Sequence, residues 1–158
     1  MTRRAADIDL PELHPAAQWL GFAGLVPQAA LAAIMIGGTP NLVSAAVRLA
    51  LCYAALILSF IGGVWWGLAG QPGKRAGSWL WLAAVTPSLI AFAGLGAWIF
   101  GRAPVPGLTI IGIALVATLA IDARLAANGW CARGWLRLRT PLSLGLGGLS
   151  LLIAVLAP

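Results

Sequence analysis

The sequence predicts an all-α membrane protein: a bundle of five transmembrane helices, with the N-terminus cytoplasmic and the C-terminus periplasmic. Three observations predict it. Hydrophobic residues make up 61% of the 158 and charged residues 9%, against roughly 45–50% and 25% in soluble domains, so there is too little polar surface to coat a water-soluble fold. The apolar residues gather in five charge-free runs, and about 20 such residues in a helix cross a hydrocarbon core of about 30 Å. The basic residues fall mainly on alternate loops. No run shows the apolar/polar alternation of a lipid-facing β-barrel.

The first 15 residues read as a short cytoplasmic tail, and 16–158 as one transmembrane domain. Asp7, Asp9, Glu12 and two prolines interrupt any signal-peptide core in that tail, and they supply too many acids for a mitochondrial transit sequence. The first helix is expected over about 16–38, closed by Gly37-Gly38-Thr39-Pro40-Asn41. The second covers 49–69, with Arg48 at its interface, and stops at the breaker-rich turn Gly70-Gln71-Pro72-Gly73-Lys74-Arg75. The third covers 78–100, the fourth 104–121, ending before Asp122, and the fifth 141–157.

Orientation follows from the basic residues. Arg3, Arg4, Lys74, Arg75, Arg124, Arg133, Arg137 and Arg139 fall on one side, Arg48 and Arg102 on the other. Eight against two places the N-terminus in the cytoplasm, and a bacterial inner membrane is the expected location. The net charge of +6 then reflects topology rather than a nucleic-acid partner. Seven of the eight tryptophans lie near the same interface, where amphipathic rings anchor. Trp65 and Trp66 point about 100° apart on a helix, so one of them is expected to face other helices.

Chemistry is sparse. The acids are Asp7, Asp9, Glu12 and Asp122, and the one histidine is His14. No nucleophile–base pair, metal cluster or phosphate loop can be assembled from these residues, so no catalytic residue, metal or cofactor is expected. Cys52 and Cys131 are expected at opposite faces, unable to bridge. Pro27 and Pro87 fall mid-helix, where proline removes a backbone hydrogen bond and bends the helix. The segments carrying them, Trp19 to Pro27 and Trp79 to Pro87, share Trp, Leu, Ala and Pro in register. Gln28 and Ser88 follow these prolines, and Ser59, Gly62 and Gly63 lie at similar depth. Together they form either a packing node between the first three helices or a site for a small apolar ligand. Gly63 and Gly67 form a G-x-x-x-G pair, which in so glycine-rich a chain carries no weight.

Asp122 is expected at the membrane surface, paired with Arg124 or Arg139. The loop from Ala123 to Thr140 alternates arginine with Trp130, Trp135, Leu136 and Leu138. It reads as a short interfacial helix with Arg133 and Arg137 on one face, gripping anionic headgroups. Trp65, Trp66, Asp122, Arg133, Trp135, Arg137 and Arg139 are therefore the candidate interfacial or partner-contact residues.

The stretch Tyr53 to Gly67, YAALILSFIGGVWWG, resembles the signature of a family of unknown function that includes transmembrane protein sixty-nine. Val85 to Ala91 and Trp135 to Thr140 resemble it too, and with Leu20 to Pro27 the likeness spans most of the chain. In that family the residue before the Trp-Gly pair is often His or Arg; here it is Trp65. The resemblance implies a short multi-pass inner-membrane protein and no established activity. The expected role is a non-enzymatic accessory or assembly subunit of a larger membrane complex. The alternative is a small carrier or sensor for an apolar or lipid-like ligand.

Overall fold

A computed structural model describes residues 12–73 and 75–158; Arg3, Arg4, Asp7, Asp9 and Lys74 lie outside the described residues. The chain is all helical, in the order α1 (Pro15–Ala23), α2 (Val26–Gly37), α3 (Pro40–Ala69), α4 (Ser78–Gly101), α5 (Pro104–Ala127) and α6 (Trp135–Leu156). Among the described residues the one β-type contact is an isolated parallel bridge between Glu12 and Arg133. Counting α1 and α2 as one span, five helices are long and apolar enough to cross a membrane.

The first span is broken at Gly24 and Leu25, just before Pro27. Pro27 sits in the first turn of α2, where its missing N–H is not needed. His14 caps the start of α1, its Nδ1 accepting from the Ala16 amide. Of the carbonyls near the break, that of Gly24 accepts the Tyr53 hydroxyl at 2.6 Å. Pro87, at the matching place in the other half of the resemblance between the two segments, stays inside a continuous α4.

Three boundaries differ from the sequence expectation. α3 starts at Pro40 rather than Leu49. Its 30 residues are about 45 Å long, half as long again as a hydrocarbon core. Only the part after the exposed Arg48 is needed to cross. α5 runs six residues past Ile121 to Ala127, and α6 begins six residues before Pro141. Charge marks where a membrane ends, not where a helix does, and Ala-Arg-Leu-Ala-Ala is good helix-forming sequence. The expected interfacial helix over 123–140 is thus absent as a separate element. In its place a short turn joins two longer helices, with Gly129 (φ 68°) and Gly134 (φ 81°) in the left-handed region.

α3 lies at the centre, packed against α4, α5, α2 and α6. Its buried face carries Ala50, Leu51, Ala54, Leu58, Ile61 and Trp65, which meet Leu80, Leu108, Ile111, Leu115 and Ile153 in one core. Small residues set the spacing between neighbours. A Cβ on Gly107 would meet the Gly94 carbonyl, and one on Gly62 would meet the Ala84 carbonyl and the Pro87 ring. A Cβ on Gly147 would lie 2.8 Å from the Gly112 carbonyl. These three contacts bring α4 against α5, α3 against α4, and α5 against α6.

Candidate functional site

The extensions of α5 and α6 create the main polar feature of the bundle. Asp122 on α5 is fully buried within the bundle, five residues before the end of its helix, rather than exposed on the protein's surface. Three side chains from two other helices converge on its carboxylate. Arg139 of α6 donates from Nε to Oδ2 at 2.9 Å, as an ion pair whose guanidinium side chain is 11% exposed. Trp65 of α3 donates its indole N–H to Oδ1 at 3.0 Å, and Trp135 of α6 does the same at 3.2 Å. Below this, Arg139 also reaches the Thr118 hydroxyl at 3.4 Å, which lies 3.4 Å from Ser143 Oγ. A charge in so dry a setting persists only when paired and hydrogen-bonded, and here each carboxylate oxygen has a partner.

The expected ion pair of Asp122 therefore exists with Arg139, but in the interior. Arg124 turns the other way, its guanidinium 4.4 Å above the Trp79 ring. Of the two adjacent tryptophans Trp65 faces the bundle and Trp66 points out, edge-on to Trp81 with ring centroids 4.7 Å apart. Arg133 and Arg137 are exposed and line a groove of about 430 Å³ with Glu12, Gln18 and Phe22. Trp65, Asp122, Trp135 and Arg139 thus come together, while Trp66, Arg133 and Arg137 remain on the periphery. Thr118 and Ser143 complete the cluster and were not foreseen. The signal was present, because Thr118 precedes Asp122 by four residues and Ser143 follows Arg139 by four, one polar stripe per helix.

The node expected from Pro27, Gln28, Ser59, Gly62, Gly63, Pro87 and Ser88 divides into separate places. Gln28 is fully buried, but its Nε2 donates to Ser150 Oγ on α6 at 2.9 Å, and Ser150 in turn donates to the Leu146 carbonyl. Its Oε1 is the one buried side-chain polar atom without a hydrogen-bond partner among the described residues. Gly62 and Pro87 form the α3–α4 contact described above. Ser59 and Ser88 line a groove on the outer side of that pair, with Cys52, Leu56 and Phe92. Pro27 is exposed, and so is Gly63, where an added Cβ would meet nothing within 4 Å. Neither Cys52 nor Cys131 forms a disulfide, and Cys131 is buried.

Two apolar cavities flank the Asp122 cluster. One of about 160 Å³ lies under the α1–α2 break, between Gly24, Leu25, Ile61 and Leu142, with Arg139 and Ser143 on its wall. The other, about 240 Å³, lies between α3, α4 and α5.

A bundle of apolar spans closed at one end by a buried ion pair is the architecture of a multi-pass helical membrane protein, whose interior can be polar only where its helices satisfy one another. More narrowly, residues 13–156 match the family described as a protein of unknown function, DUF3429, and the chain belongs to that family. No curated protein and no solved structure matches it.

Proposed function

We propose that this protein is a non-enzymatic accessory or assembly subunit of a larger membrane complex, seated in a bacterial inner membrane with its arginine-rich end in the cytoplasm. The observation that carries the reading is the first span. It is 11% buried within its own chain, against 22–39% for the other four. On its open side Ala29, Ala33 and Gly37 are all exposed, one above the other at four-residue spacing. A ridge of small residues lets another helix approach closely, and close packing is what joins helices in lipid. The buried Asp122–Arg139 ion pair supports the non-enzymatic part, because its groups are spent on one another across α5 and α6. The likeness of Tyr53 to Gly67 to the transmembrane-protein-sixty-nine group agrees with a small polytopic protein. Anionic lipid is the other partner in this reading, which the exposure of Arg133 and Arg137 supports.

Extraction from native membranes in a gentle detergent, followed by native electrophoresis, is expected to show the chain in a species much larger than 16.3 kDa plus micelle. Ala33→Leu, which blocks the ridge without touching the core, is expected to shift it to the small species. A lone chain from wild-type membranes overturns the proposal. Reporter fusions are expected to place the two termini on opposite faces, and both in one compartment would overturn the orientation.

A further inference from the structure

The cavity between α3, α4 and α5 has an unusual hydrogen-bonding character. Its inner wall is Leu58, Trp65, Pro87 and Thr118, all buried, and its rim is Thr86 and Ala117, both exposed, so it opens sideways between α4 and α5. Every donor on that wall is already used. The Trp65 indole donates to Asp122 at 3.0 Å, the Thr118 hydroxyl to the Leu115 carbonyl at 2.6 Å, and the Thr86 hydroxyl to the Leu82 carbonyl at 2.8 Å. Acceptors remain. Pro87 has no N–H, so the Ala83 carbonyl four residues earlier lacks its helical donor, and Ala83 lines this cavity. Thr86 Oγ1 keeps lone pairs at the mouth. A carbonyl facing hydrocarbon without a donor is costly.

We infer that this cavity binds a lipid-soluble alcohol, a molecule with one hydroxyl on a long apolar body. The hydroxyl donates to the Ala83 carbonyl, and the apolar body runs along Ile90 and Ala114. This direction suits an amphiphile, because Ala83 lies five residues from the start of α4, which is at the arginine-rich end of the bundle, and Ile90 lies deeper. A ketone, an ether or a bare hydrocarbon offers no proton and leaves the carbonyl as it was. A cavity of about 240 Å³ is below the usual range of about 300–1,000 Å³ for an enclosed ligand. It therefore holds the hydroxyl end while the remainder lies between α4 and α5 in lipid. The site shares Pro87 with the one expected near Pro27, Ser59 and Pro87 but lies on the α5 side of α4, away from Pro27 and Ser59, and it is independent of docking to a partner protein.

The test uses the full chain in phosphatidylethanolamine–phosphatidylglycerol nanodiscs, with a diazirine-bearing hexadecanol as probe and its methyl ether as control, each read by peptide mass spectrometry. The alcohol is expected to label residues 83–90 and 114–121 about fivefold more than the ether, the ratio that one net hydrogen bond gives. Ala114→Phe, which fills the cavity, is expected to abolish this labelling. Ala117→Phe at the exposed rim is expected to do the same by closing the mouth, and it keeps the result decisive should Ala114→Phe fold poorly. Pro87→Ala restores a donor to Ala83 and is expected to bring the alcohol-to-ether ratio close to one. Equal labelling of the wild type by both probes overturns the inference, as does labelling unchanged by either phenylalanine. Neither result bears on the native-gel test of the accessory role.

Discussion

Asp122→Leu is expected to lose about 3–5 kcal/mol of stability, the usual cost of leaving the partner of a broken buried ion pair uncompensated. The size follows from what the substitution strands. Arg139 keeps its charge, 11% exposed, with only the Thr118 hydroxyl at 3.4 Å in place of a carboxylate at 2.9 Å. The Trp65 and Trp135 indoles lose their common acceptor, at about 1–3 kcal/mol for the buried Trp65 donor left unmade and less for the half-buried Trp135. Asp122→Asn keeps one oxygen for the indoles and removes the charge, so it is expected to fall between Asp122→Leu and wild type. The double variant Asp122→Leu/Arg139→Leu strands no charge and is expected to recover much of the loss. Unfolding in mixed micelles, followed by circular dichroism, reads all of these. A cost below about 1 kcal/mol for Asp122→Leu would mean that the carboxylate does not hold α3, α5 and α6 together.

Gly107→Leu should be the most damaging change among the glycines. A Cβ there runs into the carbonyl of Gly94, with the carbonyl carbon at 3.0 Å and Leu51 Cδ1 at 3.3 Å. Backbone cannot rotate away as a side chain does, so α4 and α5 must separate. Overpacking costs typically about 1–3 kcal/mol and occasionally more, and the rest of the leucine adds to the clash. Gly63→Leu is the control. It lies in the same apolar setting with nothing within 4 Å, and leaving out a helical glycine gains up to about 1 kcal/mol. Equal losses for the two would refute the close-approach account of the α4–α5 contact.

The two polar sites show why some features were legible and others were not. Gln28 stands out in the sequence as a polar group inside an apolar run and Asp122 as the acid that ends one, and a polar group taken out of water needs a partner. Their partners do not stand out. Gln28 was expected near Ser59 and instead meets Ser150, which lies 122 residues away. Asp122 was expected at the surface because the apolar run stops there, but helix propensity carries α5 on to Ala127. The extra turns swing the carboxylate onto the α3 and α6 faces. Likewise Trp65 and Trp66 differ by one step of helix rotation. That rotation requires one to turn inward; only the position of Asp122 makes it Trp65.

The sequence by itself determined that five apolar segments form helices, and roughly where each crosses, because hydropathy and helix length act locally. It also determined that proline would disturb two of them, since that follows from one missing N–H. Tertiary structure alone decided that Pro27 separates two helices while Pro87 remains within one. It also decided which of the polar residues meet, and that Gly62, Gly94 and Gly107 are contact points while Gly63 is not. The physical reason is that lipid supplies no hydrogen bonds and makes no distinction between one apolar face and another. Helix pairing then rests on backbone approach and on donors meeting acceptors, and these belong to pairs of segments rather than to any one of them.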